Sequence, residues 1–224
     1  MQAARSLARP FYRRYLQYRR TRRIRQQQNA WQREITAART RGDPVRLVIG
    51  SGGLPHPGWI TTDLPYLDVL KKDHWARIFG PHQADRLLAE HVFEHLTTEQ
   101  FSGFLQMARP FVARKGFIRI AVPDGYHPDP DYITYVRPGG AGRGADDHKV
   151  LYTHDLMGGL LAANGYAYRL LEYFDQDGQF HREAWDTADG MINRSAEYDH
   201  RNREKPLSFT SLIVDCWPAS RQRP

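Results

Sequence analysis

The run VIGSGGLPHPGWITTDL at residues 48–64 holds a short apolar stretch, a glycine loop and a second apolar stretch that ends on an acid. Residues 46–49 read as a buried-type strand that leads straight into Gly50-Ser51-Gly52-Gly53. Taken alone, such a loop reads equally as a tight turn. At the carboxyl end of a central strand it also lets a ligand approach the backbone, where open α/β sheets bind cofactors. A dinucleotide fingerprint would put a third glycine at position 55, which is Pro55, and its ribose-binding acid ~20 residues on, after a full helix. Here Asp63 follows Gly50 by thirteen residues, and Pro55, His56, Pro57 and Gly58 leave little room for a helix. A pyrophosphate needs the amino end of a helix. An adenosyl ligand without phosphates does not, and the Asp63 carboxylate can accept hydrogen bonds from both ribose hydroxyls.

Outward from this run, short apolar stretches alternate with amphipathic ones, the pattern of a parallel sheet flanked by helices. Further strands are expected at 59–63, 67–70, 86–90, 117–122, 168–174 and 208–217. Thr97 and Gln100 form a capping box for a helix whose apolar face is Phe101, Phe104, Leu105 and Ala108. Leu156, Leu160 and Leu161 mark another helix, ended by Asn164-Gly165 in the manner of a glycine cap. The reading divides the chain into an arm at 1–43, a domain at 44–217 with a polar, aromatic insertion at 175–206, and a tail at 218–224.

At 224 residues the chain can bury one sizeable core, and 41% hydrophobic with 25% charged residues is a globular composition. No stretch approaches the ~18 apolar residues of a membrane span, and no apolar signal core opens the chain. A single cysteine, Cys216, excludes an internal disulfide and a cysteine-based zinc site. These features predict a cytoplasmic protein. The net charge of +7 is uneven, because twelve of the 32 basic residues and only Glu34 and Asp43 among the acids precede Pro44. Ala4, Leu7, Phe11, Tyr15 and Tyr18, then Trp31, Ile35 and Ala38, fall at helical steps, with Pro10 marking a separate first turn. A basic amphipathic helix of this kind lies on an anionic membrane surface or RNA through residues 1–25, or packs its aromatic stripe on the domain. Residues 26–43 are expected to pack on the sheet.

The same stretch at 48–64 resembles the first motif of the class I S-adenosylmethionine-dependent methyltransferases, in the type 11-like branch whose loop runs through Pro-Gly-Trp. DRLLAEHVFEHL resembles their fourth-strand motif, and FIRIAVPDGYHPD their fifth strand and the loop after it. ADDHKVLY, LLAANGY and the final SLIVDCW continue the resemblance in order, over about 45–217. It implies a seven-stranded Rossmann-like sheet in the order 3-2-1-4-5-7-6, flanked by helices, with the last strand antiparallel. It also implies S-adenosylmethionine as methyl donor. Carried over by position, Gly50, Ser51 and Gly52 lie against the methionine part, Asp63 binds the ribose, Asp68 faces the adenine edge, and Glu90 and His91 stand beside the sulfonium. Val112-Ala113-Arg114-Lys115-Gly116 replaces the family's Leu-Lys-Pro-Gly-Gly.

His91-Val92-Phe93-Glu94-His95 also spells H-x-x-E-H, the inverted zinc-peptidase signature. That chemistry needs both histidines on one face of an established helix, whereas here the capping box starts the helix at about Thr97. His95 is expected to cap or pack under the helix start. The loops beyond the fifth strand collect Asp124, His127, Asp129 and Asp131, then Asp146, Asp147 and His148. An oxygen acceptor must lose its proton, a role that suits histidine. His127 or His148 is the candidate base, with Asp124 orienting the acceptor. These carboxylates and histidines could also hold a divalent metal; Pro128 and Pro130 leave their directions open, and the expectation is a site without metal. The expected function is methyl transfer to a small or glycan-like hydroxylated acceptor. Two alternatives are an RNA methyltransferase using the Arg-rich arm and a non-catalytic scaffold that binds the cofactor.

Overall fold

The computed structural model describes residues 2–220, with side chains from Tyr15 onward. β1 (Arg46–Ile49) lies inside a sheet with Leu47, Val48 and Ile49 all buried. A strand covered on both faces needs a continuous apolar run, so this segment does not alternate. β2 (Ile60–Thr61) and β3 (Ala84–Glu90) pair with it in parallel, and β4 (Val112–Pro123) pairs in parallel with β3. β5 (Tyr166–Phe174) carries the short edge strand β6 (Phe180–Arg182). β7 (Ser211–Pro218) inserts between β4 and β5, antiparallel to both. The order is β2-β1-β3-β4-β7-β5-β6, a seven-stranded sheet with its last strand reversed.

One expected strand is absent. Residues 67–70 form turns, in which the Tyr66 and Leu67 N–H groups donate to the Asp63 carbonyl and Lys71 N–H to that of Asp68. Backbone groups bonded locally are not available to a ladder. The seventh strand is instead β6, from the 175–206 insertion.

α1 (Gln2–Arg41) is a single helix that continues through Pro10, so the separate first turn expected there is not formed. The side chains of Ala4, Leu7 and Phe11 lie outside the described residues. The rest of the aromatic stripe divides: Tyr15 and Tyr18 are exposed, while Trp31 and Ile35 are buried. That second half packs against α2 (Lys72–Phe79), and Gln28 donates to the Tyr66 carbonyl at 2.7 Å. α3 (Thr98–Ala108) starts on the expected capping box, with Thr97 and Gln100 bonded reciprocally. α4 (Pro130–Val136) is capped by Asp129, and α5 (His154–Ala163) by Thr153. Among the described residues no helix is long and apolar enough to cross a membrane.

α1, α2, α3 and α5 all bury their apolar faces in one core, against Leu47, Leu87, Ile118 and Ile120. Connection handedness explains this one-sidedness. The crossovers from β2 to β3, β3 to β4 and β4 to β5 step in one direction along the sheet, and right-handed crossovers then put their helices on one face. The step from β1 to β2 runs the other way, through residues 50–59, and contains no helix. The opposite face, with Val48, Leu88, Ala121, Leu171 and Ile213, is covered by Ile192, Trp59 and Trp185. Arg119 on that face is buried, bidentate to Asp215 at 2.8 and 2.9 Å, and donates to the Asp186 and Gly190 carbonyls. The insertion therefore does more than border one end of the sheet; it stands in for a helical layer.

Candidate active site

The carboxyl ends of β1, β2 and β3 meet at the glycine loop. Gly50 has φ 64°, and a Cβ there would stand 2.6 Å from Val92 Cγ2, so this position requires glycine. Ser51 N–H donates to the Thr62 carbonyl, tying the loop to the end of β2. Cβ atoms at Gly52 and Gly53 would meet nothing within 4 Å, so this side of the loop is open. The half-buried Asp63 carboxylate closes the loop: Oδ2 accepts from Gly52 N–H at 2.8 Å and Oδ1 from Leu64 N–H at 2.7 Å. Each oxygen keeps a second lone pair for a ligand donor. No helix begins between Gly50 and Lys71, so no helix amino end stands here to receive a pyrophosphate.

Asp68, on the turn that replaces the expected third strand, accepts from Leu70 N–H and pairs with Lys71 at 3.2 Å. Glu90 at the end of β3 accepts from the Asn193 and Arg194 backbone N–H groups, which moors the insertion beside the loop. His91 has φ 54°, an uncommon conformation for a side-chain-bearing residue. Its Nε2 lies 2.9 Å from Ser211 Oγ, and Ser211 in turn donates to the Arg194 carbonyl. The His91 ring proton therefore sits on Nε2, and Nδ1 faces Glu94 Oε1 at 3.1 Å, within ion-pair distance but without hydrogen-bond geometry. Burial of Glu94 opposes its ionisation, but the charge and contact of the adjacent His91, its own backbone N–H, and then the charge of His95 outweigh it and hold the carboxyl below its usual range.

Two of the three expected acceptor-side residues are placed differently from expectation. Asp124 is fully buried, and its oxygens accept from Tyr126 N–H at 3.0 Å and Phe174 N–H at 2.7 Å. Burial raises its pKa to about 6. It ties the end of β4 to the end of β5 and presents no exposed surface. His127 is 5% exposed and stacks on Tyr132 at 3.9 Å. Asp129 N–H donates to its Nδ1 at 3.1 Å, so the proton is on Nε2, which donates to the Leu207 carbonyl at 2.9 Å. Both ring nitrogens are occupied, and burial pushes its pKa down. His148 differs: Nδ1 donates to the Val136 carbonyl at 2.7 Å, which leaves Nε2 with a lone pair. Its ring meets that of His95 edge-on at 4.8 Å. Glu94 is the functional candidate that the sequence reading passed over. Its signal is present in H-x-x-E-H, but the run reads as a zinc motif only on a helix, and Phe93–His95 form a single 3-10 turn.

A cleft of about 670 Å³ opens between the loop after β4 and the insertion, lined by Phe174, Phe180, Asp129, Asp131 and Lys205 among others.

No family model matches the sequence, and no curated protein matches it. Among solved structures, the chain is similar to a SAM-dependent methyltransferase from Archaeoglobus fulgidus, with 14% identity over 82% of this chain and 92% of that one and a TM-score of 0.43. It is also similar to a SAM-dependent methyltransferase from Thermotoga maritima, with 10% identity over 93% and 97% and a TM-score of 0.44. The family's order, 3-2-1-4-5-7-6, is met from its second strand onward, with β6 added at the far edge. With β7 reversed between β4 and β5 and a glycine loop at the end of β1, the chain has the fold of the class I S-adenosylmethionine-dependent methyltransferases.

Proposed function

We propose that the protein transfers a methyl group from S-adenosylmethionine to the hydroxyl of a small or glycan-like acceptor. The observation that carries this reading is the loop Gly50–Gly53 at the end of β1, closed by Asp63 from the end of β2 with no helix behind it. The donor set fits an adenosyl ligand: Asp63 retains lone pairs for ribose hydroxyls, and the open side of Gly52 and Gly53 leaves room beside the backbone. When bound, S-adenosylmethionine would supply an electrophilic methyl group on a cationic sulfonium, with the neutral thioether S-adenosylhomocysteine as leaving group. The chain's work is then positioning and proton removal. Of the two candidate bases, His148 alone has a ring nitrogen without a hydrogen-bonded partner in the fold. Phe174 and Phe180 beside Asp129, Asp131 and Lys205 give the cleft the mixture of aromatic and polar surface that suits a sugar-like acceptor.

Calorimetric titration with S-adenosylhomocysteine and with NAD tests the cofactor. Binding of the adenosyl compound alone is expected, and tight NAD binding with none for the adenosyl compounds would overturn the reading. Mass-spectrometric screening of hydroxylated acceptors then separates an O-methyltransferase from a scaffold that binds without turnover. The basic half of α1 supports a second component, an anionic surface as partner. Arg19, Arg20 and Arg23 line a groove with Pro65 and Tyr66, on the turn that follows Asp63.

A further inference from the structure

Phe93–His95 form a single 3-10 turn between β3 and α3, so the H-x-x-E-H run is not on an established helix and cannot present the zinc-peptidase arrangement. A different cluster forms around it. Glu94, His95 and His148 bring ligand atoms within 4.8 Å of one another. The loop carrying His148 is held in place because Lys149 and Val150 N–H groups donate to the Glu94 carbonyl, at 2.6 and 3.3 Å.

Glu94 is the residue that requires a partner. It is 0% exposed, and neither carboxylate oxygen has a hydrogen bond. A buried anion in this condition costs several kcal/mol unless a positive charge meets it. His91 meets only one of the two oxygens: its Nδ1 stands 3.1 Å from Oε1 and pairs with it when the ring is protonated. Oε2 has no polar partner among the described residues. His148 is arranged as ligands usually are, with Nδ1 held by the Val136 carbonyl at 2.7 Å so that Nε2 is free for metal. His95 Nδ1 stands at ion-pair distance, 3.5 Å, from Asp147 Oδ2.

We propose that Glu94, His95 and His148 form a binding site for one divalent first-row transition cation, of which Zn²⁺ is the representative case. Two imidazoles and one carboxylate suit such an ion better than Mg²⁺, which prefers oxygen ligands and retained water. Glu94 closes the inner side, and the half-exposed His95 and His148 leave the outer side open to water or a hydroxyl. The site adjoins the cofactor loop through Val92, which stands against Gly50. Its existence does not depend on methyl transfer. Its use does rest on that reading, and replaces the part assigned there to His148: with its free nitrogen on the cation His148 would be a ligand and not the base, and the cation would hold an acceptor hydroxyl and lower its pKa, the proton leaving to solvent. This departs from the metal-free face expected from sequence.

The test uses the untagged full chain, stripped with chelator and titrated with Zn²⁺, Co²⁺ and Mg²⁺ by calorimetry, with metal content measured after dialysis. One equivalent of Zn²⁺, a raised Tm and a visible Co²⁺ spectrum of low coordination number are expected. His148→Ala should weaken Zn²⁺ at least ~100-fold, since losing even an outer partner of a metal ligand costs 10- to 100-fold. Glu94→Gln should do the same, and His148→Ala on its loop keeps the test decisive should the buried variant fail to fold. His82→Ala, with its ring at 3.3 Å from Thr36 and remote from the cluster, should leave binding unchanged. No stoichiometric cation, Mg²⁺ binding alone, or Zn²⁺ binding equal in wild type and His148→Ala would each overturn the site. S-adenosylhomocysteine affinity measured on the same samples reports separately on the methyl-transfer reading.

Discussion

The loop after β4 and the loop after β3 carry similar residues and use them in opposite ways. In the first, Asp124 and His127 have every polar side-chain atom taken by backbone groups of Tyr126, Phe174, Asp129 and Leu207. In the second, Glu94 is also held by the chain, through its main-chain carbonyl, and its carboxylate converges with His95 and with His148, which the segment between α4 and α5 brings in and holds by one ring nitrogen. A saturated buried cluster rigidifies the fold, and an unsaturated one is available for chemistry. Residue type alone does not tell the two apart. What separates them is which carbonyl or N–H the fold places opposite each atom.

Asp63 lies between these extremes: each oxygen holds one backbone N–H, as in Asp124, but the carboxylate is only half-buried, so its second lone pairs can be reached by a ligand. Asp63→Ala is expected to give the largest effect. Loss of the ribose contacts should weaken S-adenosylhomocysteine by on the order of 2–4 kcal/mol, roughly 30- to 1,000-fold, with the fold intact. Calorimetry beside a melting curve checks it. A fallen Tm with unchanged affinity would move Asp63 into the saturated class.

The saturated class has a pH signature. Burial raises Asp124 from 3.8 to about 6, so between those values the folded state holds a proton that the unfolded state releases. Its contribution to stability is therefore present at acid pH and lost as pH rises through about 6. The full span is about 3 kcal/mol, at ~1.4 kcal/mol per pKa unit. Asp124→Asn should flatten that part of the stability profile between pH 4 and 6.5, measured by urea unfolding at each pH. Equal slopes in wild type and variant would show that the carboxyl is not desolvated as placed.

His127→Ala should cost about 2 kcal/mol through two lost hydrogen bonds and the stack on Tyr132, without a direct effect on cofactor affinity. His148→Ala should show the reverse, with little change in stability and a loss of turnover. Should His127→Ala remove turnover while leaving the melting curve unchanged, the contrast between the loops fails.

Much of the sheet was legible because its signals are local. Buried strands appear as apolar runs, and Thr97 with Gln100 names the start of α3. The strand expected at 67–70 fails because Asp63 and Asp68 carbonyls draw the following N–H groups into turns, a preference that Leu67 to Leu70 do not advertise. The one-sided helical layer follows from the direction of each crossover, which no single segment encodes. In the site, Gly50 and Asp63 were readable because both flank one loop. The different roles of His127 and His148 depend on Leu207 and Val136, carbonyls with no sequence signature.

The same distinction divides α1, and here the effect on the fold should be smallest. Residues 26–41 are anchored through Gln28, Trp31 and Ile35, whereas Tyr15, Leu16 and Tyr18 are about half exposed or more. Residues 1–25 carry nine Arg and no acid, so their removal takes the net charge from +7 to −2. Because the described side chains of this half bury little apolar surface, the truncation should change stability by less than ~0.5 kcal/mol and leave cofactor affinity as it was. Retention on anionic liposomes or RNA should fall steeply, and salt should weaken retention of the intact chain because the charges are exposed. If truncated and intact chains are retained equally at low salt, the basic half has no anionic partner and is a solvated extension of the packed half. A fall in Tm of several degrees would instead show that it packs on the domain after all.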